Sequence, residues 1–150
     1  MGYPQDKFNK SMIQTEAGLS QATLEWARSF GEFLATNSGQ GKDRVKQLTT
    51  SQLRRFFGQI KRLQVRGYTI KERSELLMLG PLLAYATGRD KKKDPTKIGA
   101  FYDEISIAIG AVIAPNNDEA LEQEYFKNFV NLVEAVVAYH RFYGGGDLPR

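Results

Sequence analysis

Five cations stand between Leu48 and Tyr68, namely Arg54, Arg55, Lys61, Arg62 and Arg66, and no acidic residue stands among them. At about 100° per helical residue they fall into two rows. Arg54 and Lys61 share one flank, Arg55, Arg62 and Arg66 the other, and Gly58 lies between. Two such rows can straddle a phosphate backbone, and a residue without a side chain lets the helix come close to it. Arginine adds two-pronged hydrogen bonds to phosphate oxygens. A face charged only for solubility would mix signs. This face points to nucleic-acid backbone binding.

The rest of the chain concentrates that signal. Ten positive residues lie between Lys42 and Arg73 against Asp43 and Glu72 alone, whereas the stretch from Ala100 to Tyr143 carries seven acids against Lys127 and Arg141. Net charge is only +4, so the distribution matters more than the sum: a concentrated positive field displaces the counterions condensed on phosphates. Lys91, Lys92 and Lys93, with Arg89 beside them, form a second patch that solvation explains equally well. Tyr68, Tyr85 and Tyr102 have the chemistry to stack on bases, but their positions suit core or boundary packing better.

Other chemistries find little support. His140, the sole histidine, falls on the apolar side of the last helix, where it is expected to pack. Asp103, Glu104, Glu119, Glu122 and Glu124 lack a histidine or a tight inward spacing, so a solvated acidic face is expected rather than a metal site. Gly39-Gln40-Gly41-Lys42-Asp43 lacks the upstream glycine and the following Ser or Thr of a phosphate loop. With no cysteine there is no disulfide or thiolate chemistry. No catalytic constellation and no cofactor site is expected.

The elements that position the cations follow a helical period throughout. The first helix is expected from Gln21 to Thr36 after a Ser20 cap, with Leu24, Ala27, Phe30, Phe33 and Leu34 inward. Thr49-Thr50-Ser51-Gln52 is a capping box opening the second helix, which Gly67 ends. Leu53, Phe56, Phe57, Ile60 and Leu63 form its buried stripe. The third segment, Glu75 to Thr87, is expected to kink or restart at Gly80-Pro81 and to close at Gly88. Asp94-Pro95 is expected to cap and open the fourth helix, which Pro115 stops. Asn116 with Glu119 starts the last, running to Tyr143 with Leu121, Tyr125, Phe129, Leu132, Val133, Val136 and His140 inward.

These elements predict an all-α, compact single-domain bundle of about five helices over residues 1–150, with 1–18 and 145–150 mobile. With 150 residues, 41% of them apolar, the chain can bury one core and is short for two. The N-terminus lacks the apolar stretch of a signal peptide, and the longest apolar run, Ile105 to Ala114, is too short for a bilayer. A cytoplasmic protein without membrane partners is expected.

Three stretches, LTTSQLRRFFGQIKRL, LGPLLAYATGR and FVNLVEAVVAYHRFYGG, resemble in order the small subunit of type III-A CRISPR effector (Csm) complexes. The resemblance covers residues 46 to 144. It implies a helical, non-catalytic antiviral subunit whose copies self-associate along a filament with the other subunits and contact guide RNA and target RNA. Carried over onto this chain, it marks Gln52, Arg54, Arg55, Lys61, Arg62 and Arg89 as RNA-facing; Gly58 and Arg66 join them on helical geometry. The residues alone leave two alternatives, a helical DNA-binding regulator and a protein-interaction adaptor with an acidic partner.

Overall fold

A computed structural model describes residues 7–90 and 95–147. Among the described residues, short 3-10 turns accompany five α-helices: α1 (Gln21–Leu34), α2 (Thr50–Arg66), α3 (Arg73–Asp90), α4 (Ile98–Ala111) and α5 (Glu119–Phe142). Among the described residues, extended pairing is limited to two isolated bridges, Ser38 with Val45 and Lys46 with Thr96. The fold is all-α.

Local sequence sets each helix start. Ser20 Oγ accepts from Thr23 N at 3.1 Å to cap α1. The Thr49 box is complete on α2: Thr49 Oγ1 accepts from Gln52 N at 3.0 Å, and Gln52 Oε1 accepts from Thr49 N at 2.9 Å. Gly67 then ends α2 with a φ of 84°, a conformation that favours glycine.

Three helix boundaries differ from expectation. α3 runs unbroken through Pro81 and past Gly88 to Asp90. Pro81 and Leu77 lie on its exposed side, so the carbonyl left without an N–H donor faces water, and Gly80 offers no Cβ to crowd the proline ring. α4 begins at Ile98 rather than at Pro95, because residues 95–97 are drawn into extended pairing: Lys46 N donates to Pro95 O and Lys97 N to Lys46 O, both at 2.9 Å. The proposed Asp94 cap lies outside the described residues. α5 is capped by Asp118, whose Oδ1 accepts from Leu121 N at 3.2 Å. Asn116 does not cap it, sitting instead in a short 3-10 turn with a φ of 57°.

One buried apolar cluster takes residues from all five helices, including Phe30, Ile60, Leu76, Ile105 and Phe129. α1 lies along α5 and α3 along α4. At the α1–α5 contact, a Cβ on Gly31 would stand 2.8 Å from Tyr139 Cβ and 3.0 Å from His140 N, so only glycine lets these helices close. Residues N-terminal to α1, expected to be mobile, contribute to the core: Phe8 and Ile13 are buried, and Asn128 Nδ2 donates to Ile13 O and Thr15 O, each at 2.8 Å. Residues 1–6 and 148–150 of the expected mobile termini lie outside the described residues.

The acidic surface also differs from expectation, since Glu104 and Glu122 are buried. Glu104 Oε1 accepts from Phe8 N at 3.2 Å. Glu122 takes Arg73, the Tyr68 hydroxyl and Ala114 N. Each carboxylate is held by donors from distant segments, which is what allows a charge to be buried. His140 is packed as expected, its Nε2 lying 2.6 Å from Leu48 O, and burial holds its pKa below the usual imidazole value. Among the described residues no helix is long and apolar enough to cross a membrane.

Candidate nucleic-acid interface

The burial of α2 fixes which way its cations point. Leu53, Phe56, Ile60 and Leu63 are buried, each contributing about 1.5–3 kcal/mol of hydrophobic stabilisation. Phe57, expected in that stripe, is only half-buried and sits at its edge, with Lys61 Nζ 5.6 Å from its ring centroid. With the stripe turned inward, Arg54, Arg55 and Arg62 are exposed and Gly58 and Lys61 half-exposed between them. Among the described residues, neither an ion pair nor a hydrogen bond engages the side chains of Arg54, Arg55 or Arg62. Rigid presentation of unpaired guanidinium groups is what a phosphate ligand requires.

Arg66 is different. Its Nη2 donates to Glu75 Oε2 at 2.5 Å, across the turn between α2 and α3, and this bond raises its pKa above the ordinary guanidinium value. The second row thus ends in an ion pair, leaving Arg55 and Arg62 as its unpaired members.

Gln52 is engaged inside the fold. Besides the cap on Thr49, its Nε2 donates to Thr96 Oγ1 at 3.1 Å, and that hydroxyl donates to Asp90 Oδ1 at 3.1 Å. Asp90 Oδ2 also accepts from Thr96 N at 2.7 Å. This chain of bonds joins the start of α2 to the end of α3 and sets where Arg89, one residue before Asp90, stands. Arg89 and Arg55 line the same groove between α2 and α3, together with Gln59, Leu82 and Tyr85. The structure therefore brings Arg89 beside the second cationic row, although the two lie more than thirty residues apart in sequence.

Tyr85, expected to pack in the core or at its boundary, instead lies on the surface. It is 69% exposed, and the Arg89 guanidinium carbon lies 5.7 Å from its ring centroid. With the helix expected to close at Gly88, its spacing of four residues from Arg89 became an i,i+4 pair only because α3 runs on to Asp90. Tyr68, in contrast, is buried and stacked on Phe126 with centroids 4.2 Å apart, and Tyr102 is half-buried. Farther along the groove, Val65, Met78 and Leu82 expose apolar surface beside Lys61, Arg62 and Arg66. The Lys91 to Lys93 patch lies outside the described residues.

No curated protein and no solved structure matches this chain. A family model does: Csm2 Type III-A matches residues 30–146, a span that begins within α1 and takes in α2, α3, α4 and α5. The cationic rows and the α2–α3 groove lie within it. With most of its length matched, the chain belongs to the Csm2 Type III-A family, the small subunit of the type III-A CRISPR Csm complex.

Proposed function

We propose that this subunit binds the backbone of the guide RNA–target RNA duplex through the outward face of α2, and that it does no chemistry itself. The observation carrying this reading is the acid-free pair of cationic rows, unpaired at Arg54, Arg55 and Arg62, on a helix whose inner face is locked in the core. Arg54 and Lys61 contact one side of the backbone, Arg55 and Arg62 the other. Arg89 adds a contact from α3, with Tyr85 beside it. Gln52 acts by positioning, through its cap and its bond to Thr96, and Arg66 by its pairing with Glu75. Base pairing between the RNA strands supplies sequence specificity, so the protein needs only charge and shape. Neither metal nor cofactor enters this role.

The same reading makes the chain one functional domain in the cytoplasm, working inside a multi-subunit complex. Val65, Met78 and Leu82 are the surface it offers to protein neighbours, including further copies along a filament.

Titration of a guide–target RNA duplex with the wild-type chain and with Arg55→Ala plus Arg62→Ala, across a range of salt concentrations, tests the assignment. Two lost phosphate contacts should weaken binding at low salt and reduce the salt slope by about 0.7–0.9 for each contact. Unchanged affinity and an unchanged slope would show that the α2 face is not the interface.

A further inference from the structure

The segment after α5 folds back onto the first turn of α2. Gly145 anchors it: this residue is buried against the His140 ring, its N–H donates to His140 O at 2.8 Å, and its carbonyl accepts from Arg141 Nη1 at 3.1 Å. Beyond the anchor, Gly146 N donates to Gln47 Oε1 and Gly146 O accepts from Thr50 N, both at 3.2 Å. Asp147 Oδ1 then accepts from Ser51 N at 3.0 Å and from Ser51 Oγ at 2.7 Å.

Ser51 precedes Arg55 by four residues and Arg62 by eleven, so the three lie along one line of the helix. α2 has no acid of its own in its first turn. The carboxylate at the head of the second cationic row is therefore brought there from the far end of the chain. It occupies donors that would serve a phosphate oxygen equally well, and its negative charge lowers the potential over the row. Ser51 and Asp147 are both exposed, so the core does not depend on their contact. Gly145 is the buried anchor, whereas Gly146 is half-buried and a Cβ on it would meet nothing within 4 Å, so Gly146 and Asp147 are held by hydrogen bonds rather than by packing of the core.

We propose that this strap is an autoinhibitory contact: Asp147 stands in for a phosphate on Ser51, and the RNA backbone displaces it when it settles along Arg55 and Arg62. The inference rests on the reading of α2 as the RNA-binding face. Displacement makes binding an exchange of one anion for another, which disfavours short or weakly held RNA at this end of the row.

The test compares the wild-type chain, Asp147→Asn, Asp147→Ala and the Arg55→Ala/Arg62→Ala double variant on one guide–target RNA duplex across salt concentrations. Asp147→Asn keeps an oxygen acceptor for Ser51 N and Oγ while removing the charge. Both Asp147 variants should bind about threefold or more tightly at low salt. Hydrogen exchange at the Gly146 amide should quicken when the wild-type chain is saturated with RNA. If the double variant weakens binding while neither Asp147 variant tightens it, or if Gly146 stays protected at saturation, the strap proposal falls and the α2 reading stands. A double variant that binds like the wild type would overturn both.

Discussion

Arg73 and Glu122 form a two-pronged ion pair between α3 and α5, Nε to Oε2 at 3.0 Å and Nη2 to Oε1 at 2.5 Å, around a carboxylate with no solvent exposure. The Tyr68 hydroxyl donates to Oε2 at 2.7 Å, and Ala114 N donates to Oε1 at 3.1 Å. One carboxylate thus ties the start of α3, the second residue after α2 and the loop before α5. Burial alone would push the Glu122 carboxyl up; the donors from Arg73, Tyr68 and Ala114 outweigh it and hold the pKa below the usual carboxylate value.

Removing one partner should therefore cost far more than a surface ion pair would. Arg73→Ala is expected to destabilise the chain by about 3–5 kcal/mol, because it strands a buried carboxylate. Since the folded pKa of Glu122 is depressed, its stabilisation is complete above the unfolded glutamate value, about 4.3, and is lost as pH falls through the lower folded value. Glu122→Gln should flatten that acid limb in chemical denaturation. An acid limb unchanged by Glu122→Gln would deny the carboxylate this part in stability.

Lys97 presents the opposite case, a buried cation with no carboxylate partner among the described residues. Its Nζ donates to Phe33 O at 2.7 Å and lies 3.8 Å from the Phe33 ring centroid, while burial lowers its pKa to about 8. The unfolded chain holds this proton up to about pH 10.4. Between pH 8 and that value the unfolded state binds more protons, so stability should rise with pH across this window. Lys97→Met should abolish the rise and stabilise the chain at pH 7 by about 1–2 kcal/mol. Denaturation midpoints at pH 7, 8.5 and 10 decide this, and a lower midpoint for Lys97→Met at pH 7 would refute it.

The contrast between these residues and the α2 face explains what was legible in the sequence. Local signals were: the Thr49–Gln52 box, most of the inward period of α1, α2 and α5, and the cationic rows depend on neighbours within a few residues, although Leu24, expected inward on α1, is exposed and Trp26 is buried in the core instead. Whatever depended on distant partners was not. Glu122 reads as one more acid on a charged face until Arg73 and Tyr68 meet it. Lys97 reads as the end of a basic loop until α4 carries it under α1. Pro81 reads as a break because the sequence does not say that its bare carbonyl faces water. Arg66 belongs to a cationic row by spacing, yet Glu75, from the next helix, holds it. The α2 rows were therefore visible early, whereas the groove joining them to Arg89 required the Gln52–Thr96–Asp90 chain of hydrogen bonds.

Gly58 supplies a test that separates charge from shape at this face. A Cβ added there would meet nothing within 4 Å, so packing in the isolated chain gives no reason for glycine at the middle of a 17-residue helix. Glycine there costs helix stability, about 1 kcal/mol relative to alanine. Gly58→Ala should accordingly stabilise the chain by about 0.5–1 kcal/mol in urea denaturation. If the RNA backbone lies between the rows, the same methyl group should weaken RNA binding, and Gly58→Leu should weaken it further. No cation is lost, so the salt slope should stay at the wild-type value, unlike that of the Arg55→Ala/Arg62→Ala variant. A more stable Gly58→Ala chain that binds RNA as tightly as the wild type would mean that the backbone does not approach the helix between its two cationic rows.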